Sequence, residues 1–429
     1  KYMNPGESVE ISLGYEGKNK LLFKGVITSH SIKASQLFGS HVRIECKHEI
    51  YKMTVGRKVR YFEKKDDKKI LSSIFNENGL KSTNLSGAFL NHDSFLQYDI
   101  SDWDFLMLRC SLNSKIVSYD VAKVIVEDPK ISGSSAVTLQ FGVDLIEYEA
   151  EVNACNQLQN VEGTSWDSDT QKIISAKGSP SKFKQLDNPG VKTNELNSIV
   201  SPKSSSLLHG GEVGKKELES WGTAQFTKSS LNKVIGRFKI KGDSSLKLGD
   251  IVEIKGVGSK FNGKVLITGL TNEYGDSGWF TNVQFGYNDQ GVFNLTNPSS
   301  DSSKVLNSSI KGLQIGKVIK INGDPQHRVQ ILLPVAGSKV KIWARMGFED
   351  AGKKRGFVFW PEKDDEVIVG FLNDDPRDPI IIGSLYSKKN EPVFKGDPKN
   401  PKKGIITKND VKIVFDDDDK SINLETPGG

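Results

Sequence analysis

The residues of this chain whose types and spacing could support chemistry are four consecutive aspartates at 416–419, six histidines and three cysteines. Clustered carboxylates can hold a cation, so the aspartate run is one candidate site. Like charges are not packed together in a dry core, and the run lies between two alternating patterns, "KIVF" and "SINLE". The flanking patterns favour an exposed, solvated turn, and we predict no metal site.

The histidines and cysteines do not form a pattern that indicates catalysis or metal binding. The histidines stand at 30, 41, 48, 92, 209 and 327, without ligand spacing. Cys46, Cys110 and Cys155 are far apart and include no CxxC pair, so we expect small core residues rather than a disulfide framework. HExxH, GxSxG, phosphate-loop and dinucleotide motifs are absent from the sequence. We therefore predict no catalytic residue, no cofactor and no enzymatic activity.

The composition is that of an ordinary globular protein with several domains. The 429 residues include 59 basic and 53 acidic side chains, for a net charge of +6. This balance argues against the concentrated basic face of a nucleic-acid-binding protein. No apolar run reaches the length of about 18 residues that crosses a bilayer, and "KYMNPGESVE" is not a signal peptide. Because the sequence starts without methionine and stops at "TPGG", we expect residues to be missing at both ends.

An internal repeat is the most informative pattern. "NPGESVEISLGY" is followed by "LLFKGVITSHSI", and "KLGDIVEIKGVG" is followed by "KFNGKVLITGLTNEY". Each copy has a Gly-acid turn, a Val-Glu-Ile strand, and a Phe-x-Gly step into a second strand. Glycine allows the turn and the alternation buries one face. We predict two related small β-barrels, although Gly-Asp-x-Val as a common hairpin turn is the alternative.

Three stretches have helical patterns. "KKILSSIFNENG" places Ile70, Leu71, Ile74 and Phe75 on one stripe that ends near Gly79. "SDWDFLMLRCSL" has Ser101 as N-cap and Asp104 at the capping-box position. "KKELESWGTAQF" aligns Leu218, Trp221 and Gln225 on one face. We expect all three helices to pack their apolar faces against a core.

The remaining patterns predict a mainly β chain. Five strand-like runs, at 313–321, 329–333, 340–344, 366–371 and 380–384, suit a five-stranded barrel of the OB type. The predicted domains are a first barrel at 1–60, an α+β region at 61–186, a linker at 187–211, a helix with the second barrel at 212–293, a linker at 294–309, the OB-fold at 310–387, a basic linker at 388–403 and a stem at 404–429.

Several motifs resemble VgrG-type spikes of type VI secretion systems and extracellular contractile injection particles. The OB region carries "GLQIGKVIKI", "KIWARM" and "AGKKRGFVFWPEKDDEVIVGFLNDDPRDPIIIGSLYS", and "FLQYDISDWDFLMLRCSLNSKIV" and "FGVDLIEYEAEVNACNQLQNVEGTSWD" resemble the hub. "INLETPGG" resembles the first turns of a triangular β-helix. The resemblance spans residues 4–429. It implies a phage-tail-like hub fused to an OB-fold and an intertwined trimeric β-helix.

The resemblance also implies partners and a location. The family is homotrimeric, caps an Hcp-like inner tube, contacts baseplate components and carries a PAAR-type tip protein. Effector cargo and transient contact with a target membrane are part of the same expectation, and nucleic acid is not. Synthesis in the bacterial cytoplasm would be followed by assembly in a contractile particle and release on firing. The sequence does not distinguish type VI secretion from a free injection particle.

The stem pattern fits a trimer. Each terminal strand alone leaves both edges unpaired and buries one face. Three chains around one axis would let each strand pair with neighbouring chains and point Ile413, Phe415, Ile422 and Leu424 inward. These four residues are the predicted trimer core, with the polar residues Lys412, Asn423 and Glu425 facing water. Two duplicated barrels in each of three chains would give six similar modules around the ring.

Two other functions fit parts of the sequence. A carbohydrate-binding or depolymerising tailspike can also be a trimeric β-helix, but it calls for long repeats lined with aromatics and acid pairs, which are absent from this sequence. An oligonucleotide-binding OB protein calls for aromatics interleaved with basic residues; "VKIWARM" offers Trp343 and Arg345, while "DDEV" and "NDDPRD" add acid. We therefore predict a non-enzymatic hub and spike, with the tailspike as the alternative.

Overall fold

A computed structural model describes residues 3–286 and 308–428, except for 180–204 and short gaps at 38, 81–82, 122, 130–133, 153 and 155–156. The chain divides into two compact units. The first comprises Lys1–Gly312 and Phe371–Pro379, and the second comprises Leu313–Gly370 and Ile380–Gly429. Most of the predicted linkers at 187–211 and 294–309 lie outside the described residues, as does Cys155.

Among its described residues, the first unit contains strands and three α-helices. The helices are α1 (Asp67–Glu77), α2 (Asp102–Leu112) and α3 (Lys215–Leu231), with a 3₁₀ turn at Glu49–Thr54. The strands are β1 (Ser8–Tyr15), β2 (Lys18–Ser35), β3 (Gly39–Lys47), β4 (Lys58–Asp66), β5 (Thr83–Leu85), β6 (Asn91–Ile100), β7 (Ile116–Asp120), β8 (Lys123–Glu127), β9 (Val137–Gln140), β10 (Leu145–Val152), β11 (Val161–Asp167), β12 (Lys172–Lys177), β13 (Ser205–Leu208), β14 (Val234–Lys241), β15 (Ile251–Lys255), β16 (Gly263–Gly275) and β17 (Gly278–Phe285).

These strands form separate sheets. β1, β2 and β3 make a three-stranded antiparallel sheet, which we call module 1. A six-stranded sheet in the order β10-β14-β17-β16-β15-β9 is module 2. Smaller sheets have the orders β4-β6, β5-β8-β7 and β12-β11-β13. In the described residues both modules are open sheets, because each ends on strands that do not pair with each other.

The two modules share backbone hydrogen bonds at equivalent places, as the sequence repeat predicts. In each module the N–H of the turn glycine donates to the carbonyl of an isoleucine in the second strand, and the N–H of that isoleucine donates to the backbone carbonyl of the acidic residue in the turn. The triads are Gly6, Ile27, Glu7 and Gly249, Ile267, Asp250, with N···O distances of 2.8–3.0 Å. Both glycines have φ above +80°, a conformation that disfavours residues with a side chain.

The equivalence continues through a bulge. In both modules the ladder to the third strand shifts just after this isoleucine, at Thr28 and at Thr268. Thr28 Oγ1 donates to the carbonyl of Glu45 at 3.2 Å, whereas Thr268 Oγ1 donates at 2.8 Å to the carbonyl of Gly286, two positions beyond Gln284, which is the equivalent of Glu45. Bulges locally increase twist, so both modules bend at the same point.

The Phe-x-Gly part of the sequence repeat is out of register in the structure. Phe23 lies inside β2 opposite Ile11. The equivalent position, opposite Ile254, is held by Gly263, and Phe261 precedes the strand. The two Phe-x-Gly motifs therefore have the same residue types but occupy different positions relative to the first strand, because phenylalanine can either precede a strand or lie within it.

The helices confirm their sequence patterns. The four apolar residues of the α1 stripe are all at most 1% exposed, and Asp66 caps the helix by accepting the N–H of Lys69 at 2.7 Å. Ser101 caps α2, accepting the N–H of Asp104 at 3.1 Å and donating to its carboxylate at 2.7 Å. The predicted α3 face, Leu218, Trp221 and Gln225, is buried.

The second unit contains the predicted OB-type barrel. Its strands are β18 (Gln314–Lys320), β19 (Val329–Leu332), β20 (Lys341–Met346), β21 (Ala351–Gly352), β22 (Arg355–Gly356), β23 (Glu366–Phe371), β24 (Pro379–Ser384), β25 (Lys402–Ile406), β26 (Lys412–Asp416) and β27 (Ser421–Glu425). The order β18-β19-β20-β24-β23 closes into a barrel. Its interior is fully buried: Val318, Val329, Ile331, Ala344, Val367, Val369 and Ile381. The prediction of a mainly β fold with an OB barrel is confirmed.

Candidate functional site: the apolar face of the terminal sheet

The last three strands form an antiparallel sheet within one chain, in the order β25-β26-β27. The sequence analysis expected a terminal strand to leave both edges unpaired within its own chain, and this was wrong, because β26 pairs with β25 on one side and with β27 on the other. Turns short enough to join consecutive strands let them pair locally first. Two rows cross the sheet on one face: Ile405, Ile413 and Leu424, and Lys403, Phe415 and Ile422.

This face, which we call the stem face, is apolar and exposed. It consists of Ile405, Ile413, Phe415, Ile422 and Leu424, with the exposed Lys403 at the end of one row. Ile422 is 67% exposed and Leu424 is 76% exposed, while the other three are 37–42% exposed. Singly exposed apolar residues are ordinary, but a contiguous exposed patch marks an interaction surface. The four residues predicted as a trimer core therefore share one face of one sheet.

The opposite face is covered or polar. Val414 is 9% exposed, and Lys412 and Glu425 form an ion pair across the strands at 3.5 Å. The Phe394 ring and the backbone of Ile413 lie close to Gly404. A Cβ atom added at Gly404 would be 3.3 Å from the ring and 2.6 Å from the carbonyl oxygen of Ile413, so this position has no room for a side chain. The sheet therefore has one polar side, on which Val414 is buried, and one open apolar side.

The aspartate corner differs from the expectation at one residue. Asp416 is 7% exposed, and its Oδ1 accepts the N–H groups of Asp418 and Asp419 at 3.1 and 3.2 Å. Asp417, Asp418 and Asp419 are exposed, and Asp417 pairs with Lys403. The first aspartate thus closes the turn instead of being solvated, because its carboxylate satisfies otherwise unpaired backbone donors.

The first unit contains a buried ionic cluster between α1 and α2. Asp67 accepts two bonds from the Arg109 guanidinium at 2.8 and 3.0 Å, and His92 lies 3.1 Å away. Burial alone would raise the pKa of Asp67, but the Arg109 charge and the His92 bond lower it below its usual range. Arg109 also stacks on the Phe95 ring at 4.2 Å. The cluster joins the two helices and β6 into one core.

A second buried cluster, which we call the 375–378 cluster, is also in the first unit. Arg377 binds Asp375 at 2.6 Å and Glu217 of α3 at 2.8 Å. His209 Nε2 lies 3.3 Å from Asp375. Burial opposes the charge on Asp375, but Arg377 lowers its pKa below the usual range. The loop 371–379 is therefore fixed in the first unit although its flanking strands belong to the second.

Asp378 is the unusual member of this cluster. Its Oδ2 accepts the N–H of Glu212 at 2.7 Å. Burial and the neighbouring charge of Asp375 raise the pKa of Asp378 to about 6. Burial away from water disfavours the ionised form of a carboxyl group, so Asp378 keeps its proton to a higher pH than an exposed aspartate does.

Comparison with known proteins identifies the family. The family model described as the Alg8 N-terminal domain matches residues 1–276, more than half of the chain. The chain belongs to the Alg8 N-terminal domain family. A second model, the type VI secretion system/phage-baseplate injector OB domain, matches residues 314–386, which span the closed barrel of this family member. No curated protein matches the sequence.

Solved structures share the fold at low sequence identity. A chain of the Francisella PdpA-VgrG complex has a TM-score of 0.55 and 10% identity over 98% of this family member and 71% of that chain. The E. coli c3393 protein is a component of the type VI secretion system and is structurally similar to the T4 tail proteins gp27 and gp5. It has a TM-score of 0.51 and 13% identity over 88% of this family member and 87% of that chain. The 43 kDa tail protein of Shewanella oneidensis prophage MuSo2 has a TM-score of 0.50 and 10% identity over 67% and 84%. The Alg8-family chain has a VgrG-like hub-and-spike fold.

The histidines and cysteines of this family member occupy separate places. His48 accepts the N–H of Ile50 at the start of the 3₁₀ turn, and burial lowers the pKa of His48. His92 and His209 belong to the two ionic clusters, whereas His30 and His41 are exposed on β2 and β3. Cys110 is buried and Cys46 is half-buried. In the described residues, no group of three or more His, Cys, Asp or Glu side chains could hold a metal ion.

The ionic clusters are what sequence reasoning missed. "NDDPRDP" indicates a loop, and nothing in these letters says that Arg377 meets Glu217, which lies 160 positions earlier. The only local signal was the acid-rich start of α1.

None of the helices in the described part of the chain has the length and apolar character to cross a bilayer.

Proposed function

We propose that this chain is a non-enzymatic hub-and-spike subunit of a contractile injection machine, and that three copies assemble through the stem face. The observation that carries the proposal is the exposure of Ile413, Phe415, Ile422 and Leu424 on one side of a sheet whose other side is mainly polar. Three such sheets around one axis bury all three stem faces and leave the turn at 417–419 outside.

The energetics favour closure of the stem face. Transferring a mostly exposed leucine or isoleucine to an apolar core contributes about 1–2 kcal/mol, and each copy supplies five apolar side chains. Assembly costs translational and rotational freedom, so stem burial alone gives a modest affinity. The hub must contribute as well.

The proposed partners follow from the fold class. The first unit would cap an Hcp-like inner tube and contact baseplate components, and the stem would carry a PAAR-type tip protein. Firing would drive the stem through a target envelope with effector cargo. In this mechanism the protein acts by stiffness, since backbone hydrogen bonds along a stem resist compression. The chain would be made in the bacterial cytoplasm and leave it as part of a particle.

Light scattering coupled to gel filtration tests the trimer. We expect three chain masses for the unaltered protein and a shift toward one chain mass for Leu424→Asp, because three carboxylates would meet in the apolar interior. Asn423→Asp, on the opposite face of the same strand, is the matched control and should stay trimeric. A protein that remains one chain mass at tens of micromolar, or an Asn423→Asp variant that dissociates as readily as Leu424→Asp, would refute the proposal.

A further inference from the structure

Three Asn-Gly pairs occur in the sequence, at 78–79, 262–263 and 322–323. Asparagine before glycine is prone to spontaneous deamidation, because glycine has no side chain to hinder attack by its own backbone nitrogen. The three pairs have the same local chemistry, so the sequence alone predicts similar reactivity. The fold places them in different surroundings, and this difference decides which pair can react.

Deamidation needs a free asparagine side chain and a free glycine N–H. The glycine nitrogen loses its proton to hydroxide and bonds to Cγ of the asparagine. The Cγ–Nδ2 bond then breaks, and ammonia leaves with a proton taken from water. Water opens the resulting succinimide at either carbonyl and gives aspartate or isoaspartate, with no change of oxidation state. A hydrogen bond to either group slows ring closure, because it must be broken first.

The first pair is held by three hydrogen bonds at the end of α1. Asn78 Nδ2 donates to the carbonyl of Ile74 at 2.9 Å and to the carboxylate of Asp102 at 2.7 Å. The N–H of Gly79 donates to the carbonyl of Asn76 at 3.0 Å. The side chain and the backbone N–H that would have to react are therefore both engaged elsewhere.

The second pair is anchored at the start of a strand. Asn262 Oδ1 accepts the N–H of Val257 at 3.0 Å, and the N–H of Asn262 donates to the carbonyl of Gly258 at 2.9 Å. Gly263 is the first residue of β16 and pairs with Ile254 of β15. The asparagine is tied to the preceding turn and the glycine to a sheet, so ring closure requires local opening.

The third pair lies in the loop between β18 and β19 and is free. Asn322 and Gly323 are exposed. Within the part of the chain that the structure describes, neither the Asn322 side chain nor the Gly323 N–H makes a hydrogen bond. The loop is fixed only on either side of the pair. Lys320 pairs with Gln330 in the ladder, and Asp324 accepts two backbone N–H groups at 3.1 and 3.2 Å.

A cation next to the third pair favours the first step of the reaction. A Cβ atom added at Gly323 would be 2.6 Å from Nζ of Lys320, so the ammonium lies beside the glycine. A nearby positive charge stabilises the anion that forms when the N–H loses its proton. The neighbouring acid, Asp324, is itself paired, because its carboxylate accepts bonds from the Arg328 guanidinium at 2.8 and 3.0 Å.

We propose that Asn322 is a site of spontaneous deamidation in the folded protein, assisted by Lys320, and that the fold protects Asn78 and Asn262. The products place a new carboxylate in the loop that joins the first two strands of the barrel, and the isoaspartate form also lengthens the backbone by one carbon. This modification depends on contacts within one chain and does not require the proposed trimer.

Peptide mass spectrometry of the full chain after incubation in mildly alkaline buffer compares the three sites in one sample. In guanidinium-unfolded protein all three asparagines should deamidate at similar rates, because only the shared dipeptide remains. In folded protein we expect Asn322 to stay close to that rate. Asn78 and Asn262 should react at least about tenfold more slowly than Asn322, since their hydrogen bonds must break first.

Two lysine variants test the assistance. Lys320→Gln should slow deamidation of Asn322 in the folded protein by about two- to fivefold, the range of an exposed charge interaction. Lys339→Gln removes an exposed lysine from another loop of the barrel and should leave the rate unchanged. Equal rates in both variants overturn the role of Lys320.

The folded and unfolded samples decide the site itself. The proposal is overturned if Asn322 reacts only after unfolding, or if Asn78 or Asn262 of the folded protein reacts as fast as Asn322. Asn322→Gln, which moves the amide one carbon away, should remove the mass gain from that peptide. A peptide that still gains the mass of an amide-to-acid conversion in this variant places the reaction at another residue and also overturns the proposal.

Discussion

Replacing Asp378 by asparagine tests the electrostatics of the 375–378 cluster. Asp378 is near Asp375, Arg377 and His209, and its pKa is raised from 3.8 to about 6 by burial and by Asp375. Asparagine keeps an oxygen that can accept the N–H of Glu212 and removes the titration. The variant therefore isolates the cost of ionising this carboxyl in the folded protein.

The sign and size of the stability change follow from the linkage between proton binding and folding. Between pH 3.8 and about 6 the folded protein holds a proton that the unfolded chain has lost, so stability falls as pH rises through this window and the loss is complete above it. A shift of about two units corresponds to about 3 kcal/mol. Partial access of solvent reduces this, so we expect Asp378→Asn to be more stable than the unaltered protein by about 1–3 kcal/mol at neutral pH, and equal to it below about pH 4.

Urea unfolding followed by tryptophan fluorescence at a series of pH values gives the measurement, because Trp221 is buried in the same unit. Asp374→Asn is the matched control, since it changes the same chemistry in the same loop and leaves Asp375, Arg377 and Asp378 in place. The reasoning fails if the advantage of Asp378→Asn does not grow between about pH 4 and pH 7. It also fails if Asp374→Asn gives the same profile.

Two further substitutions test the packing of the hub. Arg377→Ala leaves Asp375 and Glu217 buried without their cation, and we expect a loss of about 3–5 kcal/mol in urea unfolding. Arg355→Ala, which breaks an exposed pair with Asp350, should cost less than about 1 kcal/mol, and equal losses would contradict the role of burial. Ser101→Ala removes the cap of α2 and should lower the free energy of unfolding by about 1 kcal/mol; an unchanged urea midpoint would show that the cap is replaced.

Local patterns predicted local structure well. The α2 cap could be read from Ser101 and Asp104, because capping depends on residues three apart. The barrel strands followed from alternation, because a strand with one buried face repeats every two residues. The repeat was also visible, since both Gly-acid turns need the same backbone conformation.

Long-range relations were not predictable from such patterns. The match between "FKG" and "FNG" misaligned the repeat by two residues, because register is fixed by hydrogen bonds to partner strands and not by letters. The run of four aspartates gave no sign that Asp416 alone would fold inward. Partners distant in sequence, such as Glu217 and Arg377, meet only after the fold has formed, and nothing in a single sequence marks them.

The loop at 371–379 makes the division of this chain discontinuous in sequence. A fragment that ends at residue 312 would contain nearly all of the first unit but would lose Asp375 and Arg377. Glu217 and His209 would then remain in an interior built for groups that the fragment no longer has. Division of the gene at one position therefore cannot separate the first unit from the second, and a fragment meant to contain the whole first unit must also include residues 371–379.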